Sequence, residues 1–432
     1  MVNLTEHKQK ANELRKAEKF AEALQLYRSL WDGEGDKFDG AGLLHCLRKL
    51  GLFDEAVAFA RELIAKYPDF DWCRREVIWT LISGQLNKLE ESESFEKVLH
   101  TAKEIMDLNP DDLAKKKVVF KVLKSAKSSN HWEIVNEWVV NIDPASLSTK
   151  PMTDSLGREG WCDQSLWYNY RINGLIQQGE PKDAIVLVDE ILERFPKQRK
   201  FFLRLKALAN HSLGNFPESE KIYRDLCSHY KPDWWLLHEY AKVVRDIGRR
   251  EDALKLMYQA ASSNQKLESM VSLFADIGML CKKLNMYNDA RNHLLLCKYI
   301  RNEKVWSVPE SITETVSELD KLIGNENKPG SLKEALSVCR SAWVSLLDND
   351  NSSETSIKRQ KLKKGLIGKV SFGQQDRPYC FINSEGAQSF FCYKSDLPPK
   401  TKDQDEVIFD VVPSFDKKKN KESWKASNVR VK

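Results

Sequence analysis

The sequence predicts a multidomain protein, with an all-α helical-hairpin superhelix followed by a small all-β barrel. Three observations carry this reading. A short phrase recurs along the first three quarters of the 432 residues at intervals near 34. The composition turns polar after Leu347. Beyond it, five short β-like runs fall within fewer than 70 residues, separated by Gly, Pro and Asp. Expected boundaries are 1–347 for the helical array, 348–364 for a polar then basic linker, and 365–432 for the barrel.

The recurring phrase is a Gly or Asn, one residue, an aromatic, two residues, then Ala. It reads GLFDEA from Gly51 and NMYNDA from Asn285, with variants GEPKDA from Gly179, GNFPES from Gly214 and GRREDA from Gly248. KFAEA from Lys19, SFEKV from Ser94 and HWEIV from His131 extend the series. Its aromatic slot is filled by Phe20, Phe53, Phe95, Trp132, Pro181, Phe216, Arg250 and Tyr287, at intervals of 33, 42, 37, 49, 35, 34 and 37. The Gly or Asn ends one helix, because a left-handed residue is cheap there. The small residue three after the slot lets a second helix approach closely. Pro68, Pro110, Pro144 and Pro196 stop that second helix. EALQLYRSL and DAIVLVDEIL place apolar residues at i, i+3, i+4 and i+7. The two long intervals require insertions, at Gln85–Ser94 and in the polar loop 144–163. Two further helices, near Pro309–Ile323 and Ser331–Leu347, are expected to cover the last hairpin.

This period and phrase resemble the tetratricopeptide repeat, a helix-turn-helix unit. The resemblance implies a binding surface, with a groove lined by the first helix of each hairpin. Candidates on that groove are Asn169, Asn173, Arg204, His211, Trp235, His238, Lys242 and Arg245, a set suited to an acidic peptide or a nucleic-acid backbone. Trp234 and Trp235 are adjacent, so one of the pair is expected in the core.

The tail begins with the basic run Lys358–Lys364. Its strand-like runs are LIGKVSF, PYCFIN, SFFCY, EVIFDVVPSF and SNVRV, which suggest a small barrel. Gly368-Lys369-Val370-Ser371-Phe372, Arg377-Pro378-Tyr379-Cys380-Phe381-Ile382, Ser389-Phe390-Phe391-Cys392-Tyr393 and Ala426-Ser427-Asn428-Val429 together resemble a cold-shock domain, an OB-fold barrel, over about 70 residues. The resemblance implies a stacking platform for unpaired bases at Phe372, Tyr379, Phe381, Phe391 and Tyr393, with Lys369, Arg377 and Lys394 toward phosphates or bases. Phe390, opposite in parity to Phe391, is expected in the core. Departures from the family pattern are Pro378 and Cys380 for two glycines, Tyr393 for a histidine and Lys394 for an aromatic. The last loop, DKKKNKESWK, is long and basic and contains Trp424.

Charge divides along the same boundary. From Lys358 onward there are 17 Lys plus Arg against 9 Asp plus Glu, or +8; the preceding 357 residues hold 51 against 54, or −3. The total of +5 therefore joins a slightly acidic array to a basic barrel. Mean hydropathy is −0.52, and no run of about 18 apolar residues exists to span a membrane. The start, MVNLTEHKQK, has no apolar core of a secretory signal. Nine scattered cysteines with no C-x-x-C pair fit a reducing, cytoplasmic compartment rather than a disulfide framework or zinc site.

No phosphate-binding loop, nucleophile elbow, dinucleotide fingerprint or zinc-protease motif occurs, so neither a cofactor nor a catalytic residue is expected. Asp403, Asp405 and Glu406 are paired carboxylates of the kind that hold Mg²⁺, but no motif supplies a third ligand. The expected function is a non-enzymatic adaptor. The barrel would hold single-stranded RNA or DNA, and the array would recruit a protein. The alternatives are a pure protein scaffold and a non-catalytic subunit of an enzyme complex. A helical array joined to a cold-shock-like barrel is also similar to accessory proteins of TOTE-type prokaryotic conflict systems, which implies a defence or stress role.

Overall fold

A computed structural model describes residues 4–33, 35–89, 95–229, 232–263, 266–353, 366–372, 377–384, 388–398, 401–416 and 421–431. The basic run Lys358–Lys364 lies outside the described residues, as does much of the Gln85–Ser94 insertion. Contacts divide the chain into two units, Met1–Ser263 and Asn264–Lys432.

Among the described residues, the first unit is built of seven tetratricopeptide-like helical hairpins. They pair α1 (Leu4–Lys16) with α2 (Phe20–Asp32), α3 (Lys37–Lys49) with α4 (Phe53–Lys66), and α5 (Asp71–Gly84) with α6 (Phe95–Asp107). Next come α7 (Asp112–Ser128) with α8 (Trp132–Val139), and α9 (Asp163–Gln177) with α10 (Pro181–Ile191). The last two join α11 (Arg199–Ser212) to α12 (Phe216–His229), and α13 (Trp234–Asp246) to α14 (Arg250–Ala261). The second unit begins with one more hairpin, α15 (Val271–Lys283) and α16 (Tyr287–Glu303). It continues through α17 (Glu310–Ile323) and α18 (Leu332–Ser353).

The repeated phrase writes each hairpin turn. Every slot residue, from Phe20 to Tyr287, is the first residue of its hairpin's second helix. Two positions earlier the backbone is left-handed at Glu18, Gly51, Asn130, Gly179, Gly214, Gly248 and Asn285. The eighth such position, 93, lies outside the described residues. At Gly51 the turn is closed by Gly51 N donating to Arg48 O (3.1 Å) and Leu52 N donating to Leu47 O (3.0 Å). This pair of bonds satisfies the last carbonyls of the first helix. Three positions after the slot stand Ala23, Ala56, Val98, Val135, Ala184, Ser219, Ala253 and Ala290, each fully buried. Any larger side chain there would force the two helices apart.

In the second unit, α17 and α18 pack on α16. Trp343 of α18 stacks on Phe274 of α15, with centroids 5.9 Å apart and planes 3° from parallel. Contrary to the expected linker start at 348, α18 continues to Ser353, since no Gly or Pro interrupts DNDNSS.

The tail forms a closed barrel of β1 (Leu366–Ser371), β2 (Tyr379–Ser384), β3 (Gln388–Tyr393), β4 (Glu406–Asp416) and β5 (Lys421–Val431). Its strand order is β1-β2-β3-β5-β4. All pairings are antiparallel except β3 with β5. The core is Val370, Cys380, Ile382, Phe390, Cys392, Val407, Phe409, Val411 and Ala426, so Phe390 is a core residue as expected. Gly368 faces this core; a Cβ there would lie 2.8 Å from both Asn383 O and an Ile382 methyl. The expected basic loop is shorter than the sequence suggested. Strand pairing runs out to Asp416 and Lys421, leaving 417–420 between the strands.

Candidate nucleic-acid interface

Strand parity builds the candidate site. On β2, Cys380 and Ile382 point into the barrel, which turns Tyr379, Phe381 and Asn383 outward. On β3, Phe390 and Cys392 point inward, which turns Ser389, Phe391 and Tyr393 outward. Tyr379 lies across from Tyr393, and Phe381 across from Phe391. Lys394 N donates to Pro378 O (3.0 Å), making that the hydrogen-bonded pair of the ladder. Both aromatic pairs therefore fall at non-hydrogen-bonded positions, where facing side chains come closest.

The four rings form one contiguous cluster. Tyr379 is 5.2 Å from Phe391 and 6.0 Å from Phe381; Phe391 is 6.2 Å from Phe381 and 4.9 Å from Tyr393. Phe381 keeps 40% of its surface exposed and Tyr393 46%. Large aromatics left so exposed on a barrel this small are the unusual observation. Arg377, exposed before β2, donates to the Tyr379 hydroxyl (3.0 Å) with its guanidinium 5.8 Å from the ring. Lys369 is exposed on β1, across from Asn383.

Phe372 stands apart from that cluster. It packs half-buried against the barrel core, with Lys394 Nζ 5.4 Å from its ring. Its backbone N donates to Asp403 Oδ1 (2.9 Å). Asp405 Oδ2 accepts from Lys402 N (2.7 Å), so both carboxylates of the loop accept from backbone, while Glu406, the third of the cluster, is the first residue of β4. Among the described residues, no group of three or more His, Cys, Asp or Glu could hold a metal ion.

Lys425 was missed by sequence reasoning. It pairs with Phe391 across the parallel β3–β5 contact, next to buried Ala426. The fifth strand was read as starting at Ser427, which left Lys425 in the loop. The alternation around Ala426 was the signal that could have found it. Ile367, 44% exposed on the same face of β1 as Lys369, was missed as well.

The second candidate set lies on the first helices of the hairpins in unit one. Asn173 Nδ2 donates to Asn169 O (2.7 Å), within α9. Arg204 makes a two-pronged pair with Glu239, through Nε at 2.7 Å and through Nη2. Burial opposes the Arg204 charge, but Glu239 outweighs it and raises the pKa. His211 Nε2 lies 2.9 Å from Asp246, which also accepts from Arg245 Nε (2.8 Å). The expected basic character of this stretch is thus answered by Glu239 and Asp246. His238 is only 5% exposed and packs in α13 instead of lining a groove. Lys242 is half-buried. Trp234 and Trp235 are both half-buried, so neither is core; Leu236 and Leu237, the next two residues, take that role. Trp235 stacks on Phe201 (6.4 Å, 16°), with Lys200 and Arg204 each about 5 Å from its ring.

No protein-family model matches the chain, and no curated protein matches it. Among solved structures, the chain is similar to a tetratricopeptide repeat protein from Parabacteroides merdae, at 14% identity and TM-score 0.31, over 73% of this chain and 98% of that one. It is similar to the human IFIT1 dimer with PPP-AAAA, at 13% identity and TM-score 0.38, over 81% of this chain and 80% of that one. It is also similar to Naa15/Naa10 bound to HypK-THB, at 12% identity and TM-score 0.40, over 79% of this chain and 55% of that one. At these scores the likenesses add nothing to what the hairpins establish themselves. Among the described residues, no helix is long and apolar enough to cross a membrane.

Proposed function

We propose that this chain is a non-catalytic adaptor, whose barrel stacks single-stranded RNA or DNA and whose helical hairpins recruit a protein partner. The observation that carries the reading is the four-ring cluster on the outer face of β2 and β3, with Phe381 and Tyr393 open to solvent. Aromatic faces accept any base and contribute about 1–3 kcal/mol per base stacked. Arg377 beside Tyr379, and Lys369 and Lys425 on the outward positions of the neighbouring strands, supply donors for phosphate. The strand order supports the finer reading of the barrel as a cold-shock-like OB fold, in which the β2–β3 face and neighbouring loops bind oligonucleotides.

The architecture further suits an accessory protein of a TOTE-type conflict or stress system, working in the cytoplasm. The free cysteines fit that reducing location. A pure protein scaffold is the competing reading, favoured if the exposed rings dock a protein instead. A filter-binding titration of the full chain with single-stranded and duplex oligonucleotides separates the two. The adaptor binds the single strand preferentially, with affinity falling steeply as salt rises. Absence of binding at low salt supports the scaffold.

A further inference from the structure

Helix α7 concentrates charge that the rest of the helical region does not have. It holds six lysines and one aspartate in 17 residues, inside a 357-residue region whose net charge is −3. Lys117, Lys121, Lys124 and Lys127 follow at i, i+4, i+7 and i+10, which places them within about a third of the helix circumference over roughly 15 Å.

Contacts with the neighbouring helices show where this stripe faces. Lys117 Nζ lies 5.8 Å from the Trp79 ring of α5, and Lys127 Nζ lies 5.7 Å from the Tyr170 ring of α9. Helices α5, α7 and α9 are the first helices of successive hairpins, so the stripe lies on the layer those helices form. Lys117, Lys124 and Lys127 are exposed, and Lys121 is half-buried and donates to Leu89 O (2.7 Å). Among the described residues, no carboxylate is within ion-pair distance of Lys117 or Lys127, whereas Lys116, off the stripe, is paired with Asp163. On the neighbouring first helices, Asp163 of α9 answers Lys116, while the charge that reaches Lys127 is that of Arg204 on α11. Although Lys127 is exposed as a residue, partial desolvation of its ammonium and then the Arg204 charge hold it below the ordinary lysine range.

We infer that the lysine stripe of α7 is a second, separate contact for the phosphate backbone of single-stranded nucleic acid. Phosphate is favoured over an acidic peptide because the rings beside the lysines lie beneath the ammonium groups, with Tyr170 only 6% exposed, so that among the described residues they offer a peptide no open apolar anchor.

The test is fluorescence anisotropy of the full chain with a labelled 40-nucleotide single strand of mixed sequence, as RNA and as DNA, across salt concentrations. Lys117→Gln with Lys127→Gln is expected to weaken binding several-fold and to flatten the slope of log affinity against log salt by about 1.4, at roughly 0.7 per lost contact. Lys117→Arg with Lys127→Arg restores the slope. The same change is expected in a Phe381→Ala/Tyr393→Ala background, so failure of the barrel reading leaves this result standing. Unchanged thermal unfolding of the Gln variant shows that the fold is kept. An unaltered slope and affinity in the Gln variant overturns the inference. So does a poly-glutamate peptide that binds the native stripe and not the Gln variant while the oligonucleotide binds both equally.

Discussion

Lys425 stands directly across the parallel β3–β5 contact from Phe391, and with Ala426 turned into the core it falls on the outer face that carries the four-ring cluster. If the cluster stacks bases, this lysine meets the backbone that carries them. Lys425→Gln is expected to flatten the salt slope of single-strand binding by about 0.7 without changing the thermal unfolding of the barrel. An unchanged slope with intact binding would remove Lys425 from the interface.

Gly368 is the position where barrel folding and binding should fail together. Its missing Cβ leaves room for Asn383 O and Ile382 at 2.8 Å and the Phe409 ring at 3.0 Å. Gly368→Ala is expected to destabilise the barrel by about 1–3 kcal/mol through overpacking. Strand protection in hydrogen exchange should fall in β1, β2 and β4, and oligonucleotide binding with it.

The hairpin turns give a prediction of opposite signs. Gly214 has φ +73° and open space where a Cβ would sit, so Gly214→Ala costs only backbone strain, about 1–2 kcal/mol. Glu18 occupies the equivalent left-handed position with φ +57°. Glu18→Gly relieves that strain against the added chain entropy of glycine, for a net gain of about 0.5 kcal/mol. Urea unfolding of the two variants checks the pair; a stabilised Gly214→Ala would contradict the assigned turn geometry.

Acid should weaken the two units over different windows. His293 is fully buried, its Nε2 accepting from Trp343 Nε1 (2.8 Å) and its Nδ1 2.7 Å from Asp289 O. An indole only donates, so the proton of this histidine sits on Nδ1. Burial pulls its pKa to about 4. The unfolded chain therefore binds the extra proton first. The stability held by neutral His293 is complete above pH of about 6.5 and is lost as pH falls toward 4, about 3 kcal/mol in all. In the first unit, burial would raise the Glu76 carboxyl, but His45 and Arg48 outweigh it and hold it at about 2. Its contribution, of similar size, is lost only as pH falls from about 4.5 toward 2. Hydrogen exchange at pH 5 should show α16 and α18 opening before α3 and α5. Simultaneous loss would contradict this order.

The helical hairpins were legible because their turns are written locally. A left-handed residue, a slot and a small residue fix each turn within six positions, so degenerate members such as HWEIV still mark α8. The barrel was legible through strand alternation, which separated Phe390 from Phe391. Phe372 was harder to read. Its sequence position matches a platform residue, yet it packs on the core edge, and only the pairing of β1 with its neighbours decides that. Charge pairing was the least legible property. Arg204 and Glu239 are 35 residues apart, and no local pattern announces that one answers the other. The reach of β4 and β5 to Asp416 and Lys421 was hidden by a basic composition that reads as loop.

Stacking of unpaired bases on the exposed rings of β2 and β3 is checked by titrating the full chain with a short single-stranded oligonucleotide at low salt, comparing the native protein with Phe381→Ala/Tyr393→Ala. The double variant is expected to keep its fold and to bind more weakly by about 2–6 kcal/mol, the loss of two stacked bases. Equal, tight binding by both proteins would contradict it.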